Sequence, residues 1–140
     1  MTGTTDLSIA EFGFPGPLRD RLVAAILSGE KTTTTGLLEE YRREGREPEV
    51  AGTRELVVDS AGRGVAVIEV LEVEVGRMGD VELAFAIAEG EGFTSVAEWR
   101  DVHVAFFTSS ELTAALGEPP VVVDDDTLVV CSRFRVVERL

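Results

Sequence analysis

Arg54-Glu-Leu-Val-Val-Asp59, the turn Ser60-Ala-Gly-Arg-Gly64 and the run Val65–Val75 (VAVIEVLEVEV) read as strand, tight turn and strand. They form a β-hairpin near the middle of the chain. In the second strand Val67, Glu69, Leu71, Val73 and Val75 share one face, and Ile68, Val70, Glu72 and Glu74 share the other. Either face can be the buried one. On the N-terminal side, Leu18, Leu22 and Ile26, with Val23 and Leu27 beside them, predict an amphipathic helix from about 17 to 28. Pro17 suits its first turn and Gly29 its end. Four β-branched residues, Thr32 to Thr35, then resist helix and favour extended chain. A short helix from Leu37 to Glu44 closes at Gly45.

On the C-terminal side, Asp80 can cap a helix over about 81–89. Ser95 and Glu98 have capping-box spacing. They open a helix whose Trp99, Val102, His103, Phe106 and Phe107 line one apolar face. Ser110–Leu116 is a further short helix, and Val121–Val123 and Thr127–Val137 are terminal strands around the acidic turn Asp124–Asp126. Strands separated by helices, with a hairpin in the centre, argue against a doubly wound parallel sheet. The expected fold is α+β, a small mixed or antiparallel β-barrel flanked by helices. Residues 1–11 read as a flexible polar leader and residues 12–140 as a single domain.

Charge restricts the partners. Against 13 basic residues stand 26 acidic ones, a formal net charge of −13. Binding a nucleic acid through its phosphates needs a positive surface, so this chain repels a polyanion unless its few cations cluster. A nucleoside-like small molecule meets no such penalty. No apolar run approaches the roughly 20 residues that cross a bilayer, so no membrane partner is expected. The N-terminus lacks the basic-then-apolar order of a signal peptide, which predicts a cytoplasmic protein. The one cysteine, Cys131, follows Leu128-Val-Val130 and reads as a buried structural thiol rather than a nucleophile.

The stretch Gly29-Glu30-Lys31-Thr32-Thr33-Thr34-Thr35-Gly36 has the densest chemistry: one lysine and four hydroxyls between glycines, directly after a helix. A desolvated lysine can act as base towards a neighbouring hydroxyl, and backbone N–H groups beside glycine can hold an oxyanion. The same run also reads as a polar strand with a solvated lysine. Glu69 is a suitable partner for Lys31 if its face is the buried one, where its carboxyl needs a counter-charge; on the other choice of face it meets solvent. Glu89-Gly-Glu91-Gly92, followed by Trp99 and His103, offers two carboxylates for acid–base work or cation binding. With no second histidine and no cysteine cluster, a zinc site is not expected. His103 also reads as a hydrogen-bonded histidine on a helix face. Phosphate-loop, dinucleotide and hydrolase-elbow glycine motifs are absent, and no cofactor is expected.

Taken together, Phe12-Gly-Phe-Pro15, Ile26-Leu-Ser-Gly-Glu-Lys-Thr32 with Thr34, Ile68-Glu69, Ala88-Glu-Gly-Glu-Gly92, Trp99-Arg100, His103, Phe106-Phe107, Val129-Val-Cys131 and Arg133–Val137 resemble the ASCH family of the PUA-like superfamily. The resemblance implies a PUA-like β-barrel and a cleft, at the Gly-x-Lys-x-x-Thr motif, for RNA or nucleosides. The small bacterial amidohydrolases of N4-acetylcytidine are similar. That likeness implies catalytic roles for Lys31, Thr34 and Glu69, with Gly29, Thr32, Thr35, Glu89, Glu91, Trp99 and His103 as the surrounding binding residues. Other relatives imply ribonuclease activity. The chain departs from the family pattern at Gly36, Val70, Leu71, Phe93 and Ser132, where polar residues are usual. Three functions therefore stand as expectations: a hydrolase of an amide on a modified pyrimidine nucleoside, a non-catalytic module for single-stranded RNA, and a ribonuclease. The RNA module requires Arg19, Arg21, Lys31, Arg42 and Arg43 to converge on one groove.

Overall fold

A computed structural model describes residues 7–140. The first six residues of the expected leader lie outside the described residues. The elements run β1 (Ser8–Ala10), α1 (Pro17–Ser28), β2 (Thr33–Leu37), α2 (Leu38–Arg43), β3 (Arg54–Val58), β4 (Gly64–Arg77), α3 (Leu83–Ala88), α4 (Val96–Phe107), α5 (Ser110–Leu116) and β5 (Leu128–Arg139). They form an α+β fold on one five-stranded sheet of order β1-β3-β4-β5-β2. The β1–β3 pair is parallel; the other pairs are antiparallel. Among the described residues no ladder joins β1 to β2, so the sheet is open where a closed barrel was expected.

The hairpin forms as the sequence predicts, but its faces do not alternate cleanly. The β4–β5 register shifts between Val67 and Ile68 and again between Val70 and Glu72. The first shift leaves Val137 of β5 unpaired and the second leaves Leu71 of β4 unpaired, so the facing of β4 is reset only after Val70. Ala66, Val67, Ile68 and Val70 are all buried, while Leu71 and Val75 are exposed. The Ile68 and Val70 side is the core, and Glu69 points away from it.

Two cores flank the sheet. Ala10, Phe12, Val23, Ile26, Val57, Ala66, Ile68 and Phe134 make one, under α1. Leu37, Met78, Ala86, Phe93, Trp99, Phe107, Leu112 and Val129 make the other, under α3, α4 and α5. Each large apolar side chain so buried contributes about 1.5–3 kcal/mol. The segment 29–32 crosses from α1, in the first core, to β2, in the second.

Four expectations need correcting. The leader ends earlier, because Ser8–Ala10 pairs with Glu55–Val57 of β3. Helix α3 starts at Leu83 with Glu82 as its cap, since Asp80 is drawn into a 3₁₀ turn and onto Arg77, 3.2 Å away. Val121–Val123 is not a strand, because β4 and β2 already occupy both edges of β5. Val102 is exposed, so the buried stripe of α4 narrows to Trp99, His103 and Phe107. The Ser95 cap holds: its Oγ accepts from the Glu98 N–H at 3.1 Å, while the Glu98 carboxylate accepts from the Thr94 N–H at 3.0 Å. Among the described residues no helix is long and apolar enough to cross a membrane.

Candidate functional site

Gly29 ends α1 in the left-handed region at φ 86°, which turns the chain back across the sheet. The next residues are pinned by their backbones. Lys31 N–H donates to Ala25 O at 3.0 Å and Thr32 N–H to Ala88 O at 2.8 Å, while Thr32 O accepts from Phe134 N–H at 2.9 Å. Thr33 Oγ1 donates to Phe85 O at 3.0 Å. Opposite them Gly90 has φ +72°, and a Cβ there would lie 2.7 Å from the Glu30 carbonyl and the Lys31 nitrogen. Gly90, next to Glu89, thus lets the loop close directly onto Lys31.

Lys31 Nζ is buried beneath this loop. It donates to Thr33 O at 2.9 Å, Glu89 O at 3.3 Å and Glu89 Oε1 at 3.5 Å, which occupies the three N–H groups of an ammonium. Glu89, only 1% exposed, has its other oxygen on three donors. Oε2 accepts from Trp99 Nε1–H, lies 3.0 Å from His103 Nε2 and accepts from Thr35 Oγ1 at 3.5 Å. Burial works to raise the Glu89 pKa, but His103, Lys31 and the Trp99 indole together outweigh it and hold the carboxyl below its usual range. Burial likewise works to lower the His103 pKa, and contact with Glu89 wins and raises it. Burial raises the pKa of Glu91.

These groups lie on a cleft of about 710 Å³. Of the residues predicted from the sequence, Lys31, Thr34, Thr35, Glu89, Glu91 and His103 line it, and Gly29, Thr32, Glu69 and Trp99 do not. Trp99 is fully buried and acts from below, through Glu89. The structure does not bring Glu69 to Lys31. On the outer face of β4, Glu69 is directly opposite Arg54 of β3 and Arg135 of β5, and accepts from them at 3.3 and 3.1 Å. The carboxylate beside Lys31 is Glu89, which the sequence reading had placed only among the binding residues. Its signal was the glycine punctuation of Glu89-Gly-Glu91-Gly92.

Sequence reasoning missed the outer wall of the cleft, built by Tyr41, Glu49 and Glu55 from separate segments. Tyr41 Oη donates to Glu49 at 2.7 Å, and Arg46 stacks on the Tyr41 ring at 4.4 Å. Burial, helped by the charge of Glu49, pushes the Glu55 carboxyl up to about 7. Burial pushes the Cys131 thiol up to about 11, so it is a poor nucleophile.

Glu89, Glu91 and His103 offer ligand atoms within 4.8 Å of one another. They do not fit a divalent cation: Oε2 of Glu89 is already engaged by three donors, and the Lys31 ammonium lies 3.5 Å from Oε1. The cations needed for an RNA groove do not converge either. Arg19 and Lys31 line the cleft, whereas Arg42 and Arg43 line a separate hollow with Val121 and Leu128. Arg43 is held by Glu39 at 3.1 Å and by the Gly117 and Pro119 carbonyls at 2.9 and 2.6 Å.

The family model described as the ASCH domain matches residues 8–138. The fold is similar to that of protein EF3133 from Enterococcus faecalis V583, with TM-score 0.82 and 29% identity, covering 94% of this chain and 77% of that one. It is also similar to an ASCH domain from Lactobacillus crispatus JV V101, with TM-score 0.79 and 28% identity over 93% of this chain and 79% of that one. No curated protein matches the sequence. The match spans both cores and every element that builds the Lys31 cleft, and the family suggests binding of RNA or of a small molecule. The chain belongs to the ASCH domain family, within the PUA-like superfamily.

Proposed function

We propose that this ASCH domain binds a nucleoside-like small molecule in the Lys31 cleft and hydrolyses an amide on a modified pyrimidine. The observation that carries the reading is the charge of the cleft. Eight glutamates line it against Arg19, Lys31 and Arg46. The lysine and both arginines are engaged: Lys31 by Glu89, Arg19 by the Gly13 carbonyl at 2.7 Å, and Arg46 by Glu44 at 2.6 Å. A polyphosphate chain finds repulsion there, whereas a neutral base and its amide do not.

The chemistry follows from which groups have capacity left. Lys31, with its three N–H groups donated, has no lone pair for a proton, so it serves as a fixed positive charge rather than a base. Glu91 lines the same cleft, and its raised pKa brings it closer to neutral pH, where a general base works best. The Thr34 hydroxyl attacks the amide carbonyl carbon and gives its proton to Glu91. The C–N bond breaks as Glu91 passes that proton to the departing amine. Water then attacks the acyl ester on Thr34, again through Glu91, and the hydroxyl is restored. Glu69 has no part in this scheme.

The test is incubation with N4-acetylcytidine, followed by chromatography for cytidine. Turnover by the native chain, reduced at least about a hundredfold in Thr34→Ala and Glu91→Gln, is the expected result. Absence of turnover in the native chain, or equal turnover in the variants, overturns it.

A further inference from the structure

His103 is the only histidine of the chain, and its two ring nitrogens face two acceptors. Nδ1 lies 2.7 Å from the Trp99 carbonyl oxygen, an atom that can only accept, so Nδ1 carries a proton. Nε2 lies 3.0 Å from Glu89 Oε2. That oxygen also accepts from the Trp99 indole and from Thr35, donors that favour the bare carboxylate over the protonated acid. A bare nitrogen against a bare carboxylate oxygen would be repulsive, so the proton of this contact sits on Nε2. Both nitrogens are then protonated. The surroundings suit a cation: the ring stacks on Trp99 with centroids 4.3 Å apart, and meets Phe93 and Phe107 at 6.0 and 5.8 Å.

We propose that His103 is held as an imidazolium at neutral pH and is a positioning residue, which keeps Glu89 ionised. Lys31 and His103 supply two positive charges against the carboxylates of Glu89 and Glu91, so the cluster is balanced while Glu91 is ionised. Once Glu91 has taken the Thr34 proton the cluster carries one positive charge in excess, which favours the oxyanion that forms when an amide carbonyl is attacked. This last step rests on the hydrolase reading; the charge state does not. The titratable groups facing His103 are Glu89 and Glu91 from the loop after α3, with Lys31 behind Glu89, and the rings of Trp99, Phe93 and Phe107 pack around it. The pKa directions of Glu89 and His103 agree with the assignment.

With a single histidine, ¹⁵N NMR of the ring reads the charge state without ambiguity. The expected spectrum of the native chain at pH 7 is that of an imidazolium, with the proton lost above the ordinary 6.5. In Glu89→Gln the titration should fall by about a unit or more, a tenfold change in acidity. A neutral tautomer at pH 7 in the native chain overturns the proposal, and that measurement needs no variant to fold. In turnover of N4-acetylcytidine, kcat should fall along the same alkaline titration with KM little changed, and His103→Gln should lose that limb. A variant that retains the limb overturns the positioning role. An imidazolium in a chain with no turnover leaves the charge state standing and removes the hydrolase reading alone.

Discussion

Glu89 and Glu69 are both glutamates held by two cationic side chains, and both have pKa values pulled below the ordinary carboxyl range. Their surroundings make them opposites. Glu89 is closed off under a loop with Lys31 and His103; Glu69 lies on an outer strand face between arginines that are themselves mostly in water, their side chains 55% and 60% exposed. In the buried site each charge depends on the others, since water cannot replace a lost partner. On the strand face, solvent takes over whatever a mutation removes. The same residue type, in the same kind of contact, is indispensable in one place and replaceable in the other.

The sharpest way to break this contrast is Glu89→Ala. It strands Lys31 and His103 in the core, and the expected loss is about 3–5 kcal/mol of folding stability by urea unfolding. A loss under 1 kcal/mol would mean that water already reaches the pair. Gly90→Ala should follow closely. Its Cβ would meet the Glu30 carbonyl at 2.7 Å, and its φ of +72° disfavours any side chain, so about 2–4 kcal/mol is expected. Glu89 need not change for that loss to appear, which separates the fit of the loop from the charges it carries.

The sequence shows why these residues were only half legible. The helix at Pro17–Ser28, the extended threonines, the hairpin and the Ser95 cap are local patterns, and the fold keeps them. The partnership of Lys31 with Glu89 spans 58 positions and has no periodicity to announce it. Glu69 misled because alternation along β4 leaves both faces open, and the face that packs inward is the one with Ile68 and Val70. The cleft wall at Tyr41, Glu49 and Glu55 depends on sheet order, which local spacing does not encode.

A third, smaller effect sharpens the comparison through pH. The Glu55 carboxyl rises from 4.5 to about 7 on folding, so the native state binds its proton where the unfolded chain does not. Stability from this group is complete below about 4.5 and is lost as the pH climbs through about 7, the reverse of Glu89. Glu55→Gln removes the penalty. The shift sets a ceiling of about 3 kcal/mol, which partial contact with water reduces to about 1–2 kcal/mol gained at pH 8 and nothing at pH 4. Denaturant unfolding at the two pH values checks both arms; a gain at pH 4 would mean packing, not charge, sets the effect.

The smallest effect belongs to Glu69→Gln. Its partners Arg54 and Arg135 are exposed and remain solvated when the carboxylate goes, so the unfolding midpoint should match that of the native chain within repeat error. Turnover of N4-acetylcytidine should be equally unmoved, because the side chain is outside the cleft and its contacts run to strands β3 and β5 rather than to Lys31. A fall in turnover at unchanged stability would be the informative surprise. It would require the β4 register to move so that Glu69 reaches the cleft when ligand binds, exchanging an inward face for an outward one, and the bulges at Val67/Ile68 and Val70/Glu72 are where such a slip could begin.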